Sequence, residues 1–130
     1  MACDIRVASE TAKFGITETL IGIIPGPGGI QRLSRLVGKG RAKELIFTVR
    51  RIDVGEAGEI GLVEYVMTAQ SLLKKASDIA NQIVQNGSIT VTRVKFSIDK
   101  RGDVDLSNQL AIEQNVYELI IPTKERLEGL

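Results

Sequence analysis

Apolar and polar positions alternate at the start of the chain. Ile5 and Val7 stand between Asp4 and Arg6, which predicts a short half-buried strand, and Lys13-Phe14-Gly15-Ile16 reads as a second. The apolar run Leu20-Ile21-Gly22-Ile23-Ile24 then meets Pro25-Gly26-Pro27-Gly28-Gly29, a punctuation cluster that predicts a loop. Its prolines remove two backbone donors, and Gly28 and Gly29 admit positive φ just before a helix. From Ile30 the period turns helical. Leu33, Leu36 and Val37 share one face, with Gly38 or Gly40 as the stop, and Ala42, Leu45, Ile46 and Val49 recur at amphipathic spacing. Asp53 and Glu56 have the spacing of a capping box ahead of a short helix stopped by Gly61, and Leu62 to Val66 reads as a strand.

The second half is helical by pattern. Thr68 precedes a helix with face Leu72, Ala76, Ile79, Ala80 and Ile83, stopped at Asn86-Gly87. Ser88 to Lys100 reads two ways: Ile89, Val91 and Thr92 favour strand, whereas Val91, Val94 and Ile98 fit helical spacing. Asp105 precedes a last long helix through Leu110, Val116 and Ile120, broken at Pro122. Strands alternating with helices early and helices alone later predict an α/β fold.

Composition narrows the classes. At 130 residues, 43% hydrophobic and 25% charged, the chain is of one-domain size and rich enough in apolar residues to bury a core. No apolar run approaches the roughly 18 residues of a membrane span, so no membrane insertion is expected. The net charge of +1 gives no global attraction to nucleic acid or anionic lipid. Locally, Arg32, Arg35, Lys39, Arg41, Lys43, Arg50 and Arg51 face the single acid Glu44, which leaves the rest of the chain net acidic. Cys3 is the only cysteine and there is no histidine. An internal disulfide and a histidine-dependent triad are therefore excluded, and no metal site is expected. Met1-Ala2-Cys3-Asp4 is neither a secretory signal nor a transit peptide, and a lone cysteine suits a reducing compartment such as the cytoplasm.

Glu18 is the first candidate for chemistry. It lies in the mostly apolar passage Gly15 to Gly22, and a carboxylate in apolar surroundings can move a proton near neutral pH. On spacing alone it reads first as an exposed loop glutamate. The Gly26 to Gly29 loop could present amides to an anion at a helix start, but it lacks phosphate-loop spacing and also reads as a plain tight turn. The basic stretch could meet phosphates of a nucleotide-bearing ligand or of RNA, or form a solvated helix face. Cys3 reads as a small packed residue rather than a nucleophile.

The residues together carry more than their spacing. Ala2-Cys3-Asp4-Ile5-Arg6-Val7-Ala8, Lys13-Phe14-Gly15, Glu18, and Gly22 through Leu33 resemble the crotonase (enoyl-CoA hydratase/isomerase) superfamily. Ala42 to Thr48, Glu56-Ala57, Gly61-Leu62-Val63 and the tail Ile121 to Leu130 strengthen the resemblance, in particular to the mitochondrial branch containing the AU-RNA-binding methylglutaconyl-CoA hydratase. The resemblance implies that residues 1–66 are the last part of a crotonase-like ββα spiral. Residues 67–130 would be a helical region that assembles trimers or hexamers, with Ser88 to Lys100 helical. It implies an acyl-CoA thioester as substrate, with CoA carried by the substrate and no separate cofactor, and a mitochondrial setting. Glu18 would be one of two catalytic glutamates, and Pro25, Gly26, Gly28 and Gly29 would form the pocket wall.

The resemblance also has gaps. Thr17 stands where proline is common, and Val49 where a glycine usually precedes the arginine. The match is to roughly the second half of a hydratase. The oxyanion-hole segment, the glycine-rich second donor and the first glutamate have no counterpart in these 130 residues, nor has the usual last helix. Loss of one oxyanion donor costs about a hundredfold in rate, so the chain by itself is expected to be inactive. Two further readings accompany the enzyme: an inactive remnant joining intact subunits, and, more weakly, an RNA-binding relative.

Overall fold

The computed structural model describes residues 1–26, 28–100 and 105–123. In chain order the elements are β1 (Val7–Ser9), β2 (Lys13–Phe14), a 3-10 turn (Glu18–Ile21), α1 (Gly29–Val37), α2 (Lys39–Thr48), β3 (Ile52–Asp53), α3 (Val54–Glu59), β4 (Tyr65–Met67), α4 (Leu72–Val84), α5 (Ser88–Lys100) and α6 (Leu106–Ile120). They fall into two units, Met1–Ser77 and Asp78–Leu130.

In the first unit β1 and β4 pair in parallel, Val7 opposite Tyr65 and Ser9 opposite Met67. β2 and β3 pair antiparallel, Lys13 opposite Asp53 and Phe14 opposite Ile52. These pairs place Ala8 and Ile52 against the buried faces of the helices, where Leu33, Ala42, Leu45 and Ala57 meet. The helical spacing of Ala42, Leu45 and Ile46 thus closes a core, as an apolar stripe should. The alternation at Ile5 and Val7 delivers a strand, begun at Val7 rather than Ile5.

Helix α3 starts and stops as its sequence predicts. The Asp53 carboxylate accepts from the Glu56 amide at 2.9 Å. The reciprocal half of a capping box is not made, because the Glu56 carboxylate turns to Arg50. At the other end the Leu62 amide donates to the Ala57 carbonyl at 2.8 Å and that of Gly61 to Gly58 at 3.1 Å, a Schellman closure around Gly61. This closure also moves the expected strand. Leu62 and Val63 give their amides to the helix end, so the chain first meets the β1 side through the Glu64 amide on the Arg6 carbonyl, and the strand register starts at Tyr65.

Helix α2 ends at Val49, whose φ of 57° is left-handed. A β-branched side chain is poorly tolerated there, which explains physically why glycine is common at the corresponding family position.

Unit two is built from the later helices. Residues 88–100 form a helix, and Thr92 donates its hydroxyl to the Ser88 carbonyl at 2.8 Å, settling the hydroxyl within the helix. Asp105 caps α6 by accepting from the Asn108 amide at 3.0 Å. The Ser107 hydroxyl and the Asn108 amide beside it hold the Asp105 carboxyl below its ordinary range. Among the described residues no helix is long and apolar enough to cross a membrane. Pro27 and the tail 124–130, both part of the sequence pattern, lie outside the described residues.

Candidate active site

Glu18 opens the 3-10 turn that follows β2, and it is half-buried. The turn exists because Gly22 takes the left-handed conformation at φ 74°. Its amide reaches the Thr19 carbonyl at 3.2 Å, and that of Ile23 reaches the Glu18 carbonyl at 3.3 Å. A Cβ at residue 22 would meet nothing within 4 Å, so glycine is required there by backbone conformation and not by space. One side-chain bond ties this turn to the core: the Thr19 hydroxyl donates to the Ile46 carbonyl at 2.7 Å, anchoring it on α2. The Glu18 carboxylate itself has no hydrogen-bond partner among the described residues.

Within the turn and beyond it the chain exposes large aliphatic groups, Leu20 at 74% and Ile24 at 78%, before Pro25 is buried. Gly29 donates its amide to the Gly26 carbonyl at 2.9 Å, closing the loop onto α1. Gly28 is the N-cap at φ 82°, and the Arg32 guanidinium lies over it so closely that a Cβ would collide with it. Glu18 and the Pro25, Gly26, Gly28 and Gly29 loop therefore stand at the two ends of one segment. That segment is held on α2 by Thr19 and on α1 by its helix start.

The basic stretch is largely spoken for. Arg50 forms a fork with two carboxylates, bonding Glu56 at 2.7 and 2.5 Å and Glu44 at 3.0 Å as well as through its Nε. Arg50 holds the carboxyls of both Glu44 and Glu56 below the ordinary glutamate range, and its own pKa is raised. Arg41 adds a 3.4 Å contact to Glu44, and Arg35 turns to Gln31. Lys39 and Lys43 remain exposed.

A cavity of about 540 Å³ opens in the same unit, lined by β1, β2 and the core residues Leu33, Leu45, Ile52 and Leu62. Among the described residues, neither Glu18 nor Pro25, Gly26, Gly28 or Gly29 lines it. Cys3, exposed, stands at this cavity. No cluster of three metal-ligating side chains occurs among the described residues. Sequence reasoning passed over Thr19 as an anchor and Arg50 as an intramolecular fork. The spacing of six residues from Glu44 to Arg50 and from Arg50 to Glu56 is not one of the near-neighbour spacings of a helix. The chain turns at Val49 between Glu44 and Arg50, and passes through β3 into α3 between Arg50 and Glu56.

The family description enoyl-CoA hydratase/isomerase matches residues 1–130. An enoyl-CoA hydratase/isomerase of Bacillus subtilis is 53% identical over the whole chain, which covers 50% of that relative. The mitochondrial methylglutaconyl-CoA hydratase of Homo sapiens is 45% identical and 40% covered, and a short-chain-enoyl-CoA hydratase of Clostridioides difficile is 44% identical and 84% covered. Against the crystal structure of an enoyl-CoA hydratase from Bacillus anthracis the TM-score is 0.96 over 98% of this chain and 50% of that one. A Thermobifida fusca relative solved with CoA gives 0.86, with 31% identity, over 92% of this chain and 46% of that one. The chain thus spans about half the length of most of these relatives. With every residue inside the family pattern and a backbone that follows its solved members, it belongs to the enoyl-CoA hydratase/isomerase family and has the crotonase fold of that family.

Proposed function

We propose that this chain forms the part of an enoyl-CoA hydratase that supplies Glu18 as a proton-transferring residue, acting on a short or branched 2-enoyl-CoA. The observation that carries the reading is the placement of Glu18. It is a half-buried carboxylate with no hydrogen-bond partner among the described residues, on a turn fixed to the core through Thr19. In the reaction the oxygen of water bonds to the β-carbon while the thioester oxygen takes up the developing negative charge. A proton then reaches the α-carbon, and the thioester carbonyl reforms. Glu18 is suited to hold the water or to give the α-proton, and regains its proton from the water consumed. Pro25, Gly26, Gly28 and Gly29 would wall the acyl pocket. CoA enters as part of the substrate, so the chemistry calls on no further cofactor.

Oxyanion donors for the thioester oxygen, which supply a large share of such catalysis, would come from residues beyond these 130. The later helices would join protomers into trimers or hexamers. The relatives include mitochondrial and bacterial proteins, and a place in acyl-CoA breakdown is part of the proposal in either setting. The test fuses this chain to the portion of the Bacillus subtilis relative that it does not match and follows crotonyl-CoA hydration by absorbance. Turnover should appear in the fusion and be absent from the 130 residues alone. Glu18→Gln should lower kcat by about 10²- to 10⁴-fold with the unfolding midpoint unchanged. Equal turnover in the Gln variant would remove Glu18 from the mechanism.

A further inference from the structure

Two threonine hydroxyls settle within their own helices. Thr48 donates to the Glu44 carbonyl at 2.7 Å and Thr92 to that of Ser88 at 2.8 Å. Thr19 does otherwise: its hydroxyl reaches across 27 positions to the Ile46 carbonyl at 2.7 Å. That acceptor is available for a physical reason. A helix end leaves its last carbonyls without amides, and at the end of α2 the Val49 amide closes on the Leu45 carbonyl, which leaves Ile46 next in line. The acceptor is also fixed in place. Leu45 and Ile46 are buried in the core, and the Glu44 carboxylate just before them is gripped by Arg50.

Glu18 stands directly beside Thr19, and its carboxylate has no hydrogen-bond partner among the described residues. The other bonds of this turn are local and longer. The Leu20 amide reaches the Thr17 carbonyl at 3.1 Å, that of Gly22 the Thr19 carbonyl at 3.2 Å and that of Ile23 the Glu18 carbonyl at 3.3 Å. Such bonds set the shape of the turn and leave open where the turn sits on the core. Ile16 packs against the core just ahead of the turn, but an apolar contact can slide, whereas a hydrogen bond is directional. We propose that Thr19 is a positioning residue for proton transfer. Its hydroxyl, pinned to the Ile46 carbonyl, fixes the reach of the Glu18 carboxylate toward the α-carbon of a bound enoyl thioester. Thr19 itself exchanges no proton with the substrate. The proposal rests on the reading of Glu18 as the proton-transferring group. Misplacing a reacting group by about 1 Å can cost about a hundredfold in rate, so one hydroxyl can matter more to turnover than to folding.

The experiment places two substitutions in the fusion with the Bacillus subtilis portion. Thr19→Val keeps the side-chain shape and removes the hydroxyl, and Thr19→Ser keeps the hydroxyl. Thr19→Val should lower kcat for crotonyl-CoA hydration by about 10- to 100-fold and leave KM within about twofold, with Thr19→Ser restoring most of the rate. A clip that merely holds the fold together would lower turnover in any background. In the Glu18→Gln background, by contrast, Thr19→Val should cost less than about twofold, because the group that it positions is gone. In the 130-residue chain, Thr19→Val should speed exchange of the Gly22 and Ile23 amides by about tenfold, and Thr19→Ser should not. If Glu18→Gln impairs turnover and Thr19→Val does not, the positioning role is overturned and the Glu18 reading stands. Equal losses from Thr19→Val in both backgrounds also overturn it and make Thr19 a structural clip. Unchanged turnover in Glu18→Gln, or a fusion that hydrates nothing, sinks the Glu18 reading and the positioning role with it. Unchanged amide exchange at Gly22 and Ile23 overturns the pinning of the turn whatever the fusion does.

Discussion

The two units of the chain are built from similar amounts of amphipathic helix and differ in what those helices bury. In the first, Leu33, Ala42, Leu45, Ile52 and Ala57 converge on a common core with exposures of 5% or less. In the second, Val116 is the buried large apolar residue among those described, while Phe96, Ile98, Leu106, Leu110 and Tyr117 remain exposed. Apolar spacing is therefore not the same as a core. A helix of 13 or 15 residues gains most of its stability from packing, and helices that face water on their apolar sides lack it. The first unit should carry nearly all of the cooperative stability of the isolated chain.

The strongest way to break this contrast is truncation. Leu33→Ala should cost about 2–5 kcal/mol, whereas Leu110→Ala, at 57% exposure, should change the midpoint little. Urea unfolding followed by circular dichroism checks both, and equal losses would show that the second unit shares the core's cooperativity. The two aspartate caps sharpen the comparison. Asp53→Ala removes the bond to Glu56 in the first unit and should lower its stability by about 1 kcal/mol. Asp105→Ala should instead fray α6 and leave the main transition unmoved, as amide exchange of residues 106–110 would show.

A gain is expected at the end of α2. Val49→Gly relieves a left-handed β-branched residue and should stabilise the chain by about 1 kcal/mol, read from the urea midpoint.

The smallest effect is electrostatic and belongs to the first unit. Arg50 holds Glu44 and Glu56 below their ordinary pKa, so both bind protons more weakly folded than unfolded. Their stabilising contribution is present above about pH 4.3 and is lost as the pH falls through the lowered folded values. The midpoint should hold from neutral pH to about 5 and decline below 4. Arg50→Met should flatten that acid decline; an unchanged acid profile would place its cause elsewhere.

Local signals were legible where they were chemical. Asp53, Gly61, Thr68 and Asp105 mark helix ends because each satisfies backbone groups within a few residues of itself, as the bonds to Glu56, Ser71 and Asn108 show. Residues 88–100 were not legible from pattern, since Ile89, Val91 and Thr92 carry strand preference, and only the family resemblance indicated a helix. β3 escaped notice because its two residues are a strand only by pairing with Lys13 and Phe14, some forty positions away. Family motifs identified the Glu18 segment, yet its tie to the core is one hydroxyl, from Thr19 to the Ile46 carbonyl, which no spacing rule anticipates. The cavity was equally invisible, being lined by side chains from five different stretches of sequence.

The strain at Val49 has a bearing on how this protein can change over generations. Valine and glycine codons differ at one base, so relief of the left-handed turn lies a single point mutation away. In a randomly mutated library selected for heat tolerance, glycine at position 49 should be among the earliest changes to spread. Most core improvements would need two side chains to change together, whereas this one alters a backbone preference and leaves the buried packing of Ala42, Leu45 and Ile46 in place.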